Sequence, residues 1–162
     1  VGISPYLKEL RRHVGHGLLL VPAVSVLVWD EGGRLLLVRE AETGLWQTVG
    51  GAMEPDESPE QAAVREALEE AGVSVRLDRV RAVAGGPQFR LRYPNGDLVS
   101  YVSIVFDAHV GEGEPKADLQ EVSEVGWFTP EQLGATTLTP FTVELLASAG
   151  VAAIAGSEPR VG

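Results

Sequence analysis

Glu66, Glu69 and Glu70 recur at spacings of three and four residues, which places their side chains within roughly a third of the circumference of an α-helix. Three like charges so arranged repel one another in a bare helix. A hard divalent cation would remove that penalty, because Mg²⁺ is held by a few carboxylates together with waters and substrate phosphates. The competing reading is a solvated acidic helix face, and spacing alone does not separate the two.

The stretch that carries these acids, Gly51 to Val73, reads as a short loop, a helix and a glycine stop. Ser58 is suited to the N-cap, Pro59 to the first helical position, and Gln61 completes a capping box with Ser58. Gly72 can end the helix in a left-handed conformation. The helix is therefore expected from about Pro59 to about Ala71. Val64, Ala67, Leu68 and Ala71 gather opposite the acids. That side is expected to face a core, its alanines allowing close approach to a sheet.

Gly51, Glu57, the pair Arg65-Glu66, the pair Glu69-Glu70, Gly72 and apolar Val73 stand at fixed spacings over 23 residues. Together they match the Nudix box, and the chain resembles the Nudix hydrolases, a family that includes MutT-like and ADP-ribose pyrophosphatase-like members. Ala67 is the one soft position, where the family more often has a larger aliphatic residue. Val49 stands where many relatives have proline. The segments GRLLLVR, LWQTVGG and VSEVGWFTPEQL also look familial, extending the resemblance over roughly residues 18 to 148.

The resemblance implies an α+β fold, an α/β/α sandwich with a mixed β-sheet. It implies metal-dependent hydrolysis of a nucleoside diphosphate linked to another group, with water attacking phosphorus and Mg²⁺ (or Mn²⁺) as cofactor. Carried over residue by residue, Glu66, Glu69 and Glu70 become metal ligands, with the Gly50 carbonyl as a main-chain ligand. Glu57 becomes an outer ligand or the holder of Arg65, and Arg65 the group that orients a neighbouring glutamate. The catalytic set so implied is Glu69, Glu66, Arg65 and Glu121, the last a loop glutamate placed where many relatives carry one. Glu112, Glu114 and Glu124 compete with it, each being an ordinary exposed loop acid on the plainer reading. ADP-ribose or a nucleotide sugar, a damaged nucleoside triphosphate and a dinucleoside polyphosphate all stay open as substrates. Homodimerisation is common in the family. A nucleotide-binding sensor on the same fold is the alternative, disfavoured because all four box glutamates and Arg65 are present.

Composition bounds the rest. With 162 residues one domain is the natural count, and a net charge of −10 argues against a stable nucleic-acid complex held on a basic surface. A nucleotide substrate is compatible with that charge, because a bound cation reverses the local field. The absence of cysteine excludes a disulfide framework, a thiolate zinc site and a thiol nucleophile, and fits the cytoplasm as the expected compartment. No apolar run approaches the length of a membrane span, and no secretory signal is visible. Val1 in place of methionine leaves room for a native start upstream.

Three parts are expected along the chain: an N-terminal helical extension over 1–17, a catalytic domain over 18–149 and a flexible tail over 150–162. The extension holds a short helix begun by Ser4-Pro5, with Tyr6, Leu7 and Leu10 as its apolar stripe. Its basic end, Arg11, Arg12, His13 and His16, reads as charge favourable at a helix C-terminus rather than as a ligand site. A hairpin of Leu18–Trp29 with Arg34–Arg39 follows, then a short strand over Leu45–Val49 in which Trp46 reads as core. After the box come a strand from Ser74 to Ala84, a hairpin about Pro94–Asp97 and a Gly- and Glu-rich loop from Gly111 to Leu119. A strand through Val125–Phe128 and two short helices opened by Pro130 and Pro140 complete the domain. His109, alone in a strand, reads as structural.

Overall fold

A computed structural model describes residues 4–151 of the chain. The expected flexible tail therefore lies, from residue 152 onward, outside the described residues.

Helix α1 (Pro5–Val14) is capped by Ser4, whose hydroxyl accepts from the Leu7 N–H at 3.1 Å, but it buries none of its residues. A polar clamp docks it instead. The Arg11 guanidinium donates to the carbonyls of Gly15, Gly17 and Leu98 at 3.0, 2.6 and 2.8 Å, and its Nε lies 3.4 Å from Asp97. Asp97 also meets His16 Nδ1 at 2.7 Å, while His13 turns to Glu9, so the two histidines serve different partners.

Among the described residues eight strands form one mixed sheet: β1 (Leu19–Trp29), β2 (Leu35–Glu40), β3 (Trp46–Gln47), β4 (Val49–Ala52), β5 (Ser74–Ala84), β6 (Arg90–Arg92), β7 (Leu98–Glu112) and β8 (Val122–Phe128). Strand β1 is its axis. It runs parallel to β7 from Leu19↔Val99 to Trp29↔His109, and its other edge takes β4 antiparallel from Ala23↔Ala52 to Val26↔Val49. Strand β5 pairs with β7 on the far side, β6 makes the expected hairpin with β7, and β8 lies along β2.

The first hairpin departs from expectation. Strands β1 and β2 share only the pair Trp29↔Leu35, and then they separate. The segment of β3 and β4 wedges between them, β3 on β2 and β4 on β1, so one expected strand over Leu45–Val49 becomes two short ones. Trp46 N–H donates to Thr137 C=O, Trp46 C=O accepts from Thr139 N–H, and Thr48 N–H reaches Thr142 Oγ1. A local hairpin signal carries no information about a third segment arriving from further along the chain. The Gly111–Leu119 loop is also shorter than expected, because Gly111 and Glu112 continue β7.

Side-chain alternation along β1 splits the core in two, as the period of a strand requires. Val24, Val26 and Val28 face helix α2 (Pro59–Ala71), while Leu27 faces α3 (Pro130–Ala135) and α4 (Pro140–Ser148). Helices thus cover both faces of the sheet, giving the α/β/α sandwich. Trp46 packs edge-on to Phe128, ring centres 4.8 Å apart, within the second layer.

Because α1 is docked by Arg11 rather than by an apolar face, Arg11→Ala should release it while the sheet stays folded. Trypsin cleavage after Lys8 or Arg12 should become on the order of tenfold faster, with circular dichroism of the sheet unchanged.

Candidate active site

Helix α2 is set by local chemistry. The Ser58 hydroxyl accepts from Gln61 N–H at 3.2 Å, the Gln61 side chain accepts from Ser58 N–H at 2.8 Å, and Gly72 closes the helix with φ 67°. Its burial follows expectation at Ala67 and Ala71 and departs from it elsewhere. Ala62, Ala63, Glu66, Ala67, Glu70 and Ala71 are buried, whereas Val64 and Leu68 are 39% and 57% exposed. The acids do not form a single solvated face: Glu66 and Glu70 point at the sheet, and Glu69 points outward. Four alanines, no bulkier than a methyl group, let the helix lie close enough for two carboxylates to reach β4.

The strand beneath is shaped for them. Gly50 has φ 154°, and a Cβ there would run into the Val24 carbonyl. A Cβ on Gly51 would sit 2.5 Å from Glu66 Oε1, so the carboxylate occupies the space a side chain would fill. Gly50 N–H donates to Glu70 Oε2 at 3.0 Å.

Arg65 engages its whole donor fork. Its Nε and Nη2 grip the two oxygens of Glu57 at 3.1 and 2.8 Å, Nη1 bonds Glu66 at 2.7 Å and Glu69 at 3.1 Å, and Nη2 also reaches the Ala52 carbonyl at 3.2 Å. Five contacts match the five N–H groups of a guanidinium. Glu57 further accepts from Glu54 N–H at 2.7 Å, fixing the loop ahead of the helix. Hydrogen bonds from Arg65 hold the Glu57 carboxyl below its ordinary range.

The two buried glutamates differ. Burial raises Glu66, with Arg65 opposing. Burial pushes Glu70 up to about 8, the Gly50 N–H opposing and the negative charges of Glu66, Glu121 and Asp118 adding. The loop ahead of β8 carries both Glu121 and Asp118, and it is tied to the end of α2, where Lys116 N–H donates to the Ala71 carbonyl at 2.8 Å. Glu124, by contrast, pairs with Arg39 at 3.3 Å, and Glu112 ends β7. Asp118 was missed by sequence reasoning, although an aspartate opening a loop is a known local backbone acceptor.

Among the described residues no three acidic or imidazole groups converge as a ready-made metal cage. The donor set is nevertheless of the right kind: hard carboxylate oxygens, two of them buried one helical turn apart and both disfavoured as anions by their surroundings. A cation there would compete with Arg65 for Glu66 and Glu69. Among the described residues no helix is long and apolar enough to cross a membrane.

Residues 19–149 match the family model described as NUDIX domain. The chain is 32% identical over 124 residues to a MutT-like protein of Streptomyces ambofaciens, covering 76% of this chain and 73% of that protein. It is 28% identical over 130 residues to the CTP pyrophosphohydrolase of Escherichia coli strain K12, covering 78% of this chain and 89% of the relative. Among solved structures it is similar to the MutT protein from Methanosarcina mazei Go1, with TM-score 0.61 and 25% identity over 75% of this chain and 86% of the other.

The Glu70 environment has a pH signature. A carboxyl whose folded pKa lies above its unfolded value binds its proton more tightly in the folded state, so stability is greatest below the unfolded pKa and falls as pH rises. For Glu70 the loss runs from about pH 4.5 to about pH 8. With chelator present, the melting temperature should decline across that window. In Glu70→Gln, which keeps an acceptor for Gly50 N–H, the decline should flatten and the protein should be the more stable of the two at pH 8, as read by calorimetry.

Proposed function

The chain belongs to the Nudix family and is a Nudix hydrolase, and from that premise we propose that it is a divalent-metal-dependent pyrophosphohydrolase. Its substrate is a nucleoside di- or triphosphate derivative, and the bond it breaks is a phosphoric anhydride. The observation that carries this reading is the pair of buried carboxylates, Glu66 and Glu70, held against side-chain-free Gly50–Gly51, with the loop of Glu121 tied to the end of the same helix.

Glu66, Glu69 and Glu70 are the residues that would hold Mg²⁺ or Mn²⁺, joined by the Gly50 carbonyl, with Glu57 held behind them by Arg65. When bound, the cation supplies charge neutralisation for the phosphates and for the negative charge that grows in the transition state. Arg65 binds no substrate; all five of its donors are engaged, and its task is to orient Glu66 and Glu69 from the Glu57 anchor. Glu121 takes the proton of the water that attacks phosphorus, while the bridging P–O bond breaks and its electrons leave on the departing phosphate. The alanine-lined approach of α2 to β4 excludes water from behind the carboxylates and keeps their charge effective. A chain without cysteine suits a reducing compartment, and we place the enzyme in the cytoplasm.

The relative named CTP pyrophosphohydrolase supports nucleoside triphosphates as the first substrate class to try. The test is a panel of CTP, normal and oxidised deoxynucleoside triphosphates, ADP-ribose and a nucleotide sugar, each with Mg²⁺ or Mn²⁺, read by phosphate release after phosphatase coupling. At least one should be turned over, with EDTA abolishing turnover and Glu70→Gln lowering kcat on the order of 100-fold or more. Tight nucleotide binding by calorimetry with no turnover across the panel would replace the hydrolase by a nucleotide sensor.

A further inference from the structure

Glu121 sits on a loop, yet its backbone is held from both sides. Its N–H donates to Asp118 Oδ1 at 3.1 Å, and its carbonyl accepts from the Ala41 N–H at the end of β2 at 2.9 Å. The same Asp118 oxygen also accepts from Gln120 N–H at 3.0 Å and Val122 N–H at 2.9 Å, so one carboxylate oxygen gathers three successive amides. Leu119 is folded back to make this possible, with φ 65°, its side chain 73% exposed and its N–H bonded to the Val122 carbonyl at 3.0 Å. A left-handed leucine is unfavourable on its own and persists only where the surroundings over-determine it. Upstream the loop is tied to the catalytic helix itself, since Lys116 N–H donates to the Ala71 carbonyl at 2.8 Å.

We propose that Asp118 is the positioning residue of the active site: its carboxylate oxygen, by gathering the amides of Gln120, Glu121 and Val122, fixes where the Glu121 side chain stands relative to Glu70. The proposal rests on the assignment of Glu121 as proton acceptor. It is not a ligand role for Asp118, whose oxygen is engaged by the backbone. The chemistry needs an acceptor and not a charge. An amide oxygen at residue 118 can accept the same three N–H groups, whereas a methyl group leaves them to solvent and removes what compels Leu119 into its left-handed turn. Asp118 thus acts on the reaction through the placement of Glu121, and the amide variant, which keeps the acceptor but removes the charge that Asp118 also presents to Glu70, separates the two effects.

The experiment compares Asp118→Ala, Asp118→Asn, Glu121→Gln and the double variant Asp118→Ala/Glu121→Gln. Amide hydrogen exchange of residues 120–122 is followed by NMR, and kcat and KM are measured with CTP and with ADP-ribose as probes. Asp118→Ala should exchange these amides about tenfold or more faster, while α2 and the sheet keep their protection. It should lower kcat and leave KM within about twofold. Asp118→Asn should restore both exchange and kcat, and the double variant should be no slower than Glu121→Gln alone. Unchanged exchange in Asp118→Ala overturns the proposal whether or not a probe is turned over. So does fast exchange with full kcat, failure of Asn to rescue, or additive losses in the double variant. Full activity in Glu121→Gln identifies a different failure, that of the Glu121 assignment, and leaves Asp118 nothing to position.

Discussion

The tight contact between helix α2 and strand β4 is the constraint on which the rest of the structure depends. At Gly50 the space a side chain would need belongs to the Val24 carbonyl, and at Gly51 it belongs to the carboxylate of Glu66. Two carboxylates can be buried there only if both the strand and the helix give up volume. The strand does so with two glycines, the helix with Ala62, Ala63, Ala67 and Ala71. The opened first hairpin follows from the same demand, since β4 must lie against β1 for Gly50 and Gly51 to face Ser25 and Val24. Packing that appears poor by volume is what admits charge to the interior.

Burying two glutamates so close together has a cost, and the fold meets it unequally. Glu66 has the Arg65 guanidinium at 2.7 Å, and Arg65 in turn is pinned by both oxygens of Glu57. Glu70 has a single backbone N–H, and the neighbouring negative charges all act against its ionisation. A buried charge lacking a full counter-charge moves its pKa instead of tolerating the penalty. Glu66 therefore has a cation in place that opposes the cost of its burial, and Glu70 is held in a state that any arriving positive charge would relieve. Strongly perturbed groups of this kind concentrate at functional sites.

The parts of this arrangement that were legible in the sequence are those set within a few residues. The capping box at Ser58, the stop at Gly72, the second hairpin about Asn95-Gly96 and strand β5 all follow from neighbouring residue types. What sequence periodicity could not supply was the sense of rotation of α2. It grouped the acids against Val64 and Leu68, and the natural inference buries the aliphatic pair. The reverse occurs for that pair because a glycine strand and the Arg65 fork make a place for carboxylates: the strand lies outside the helix, and apolar periodicity does not register the ion pairs that Arg65 makes with Glu57 and Glu66. The separation of β1 from β2, and the arrival of Asp118 and Glu121 near Glu70, likewise depend on pairing between segments distant in sequence.

Those distant segments share one reference, and it is β1. On one edge it holds β4, and with it the loop and helix that carry Glu57, Glu66, Glu69 and Glu70. On the other it holds β7 in parallel register over its whole length, and β7 leads directly into the loop bearing Asp118 and Glu121. A slip of one residue on either edge would turn every side chain of that partner to the opposite face. It would part the Val24–Val28 layer from α2 as surely as it would misplace the acids. Core packing therefore enforces the register, and the register fixes the separation between helix and loop. The local ties at Lys116, Asp118 and Ala41 then have only a short span of backbone left to fix. The geometry of the proposed site is thus inherited from a strand, β1, that contributes none of the site residues itself.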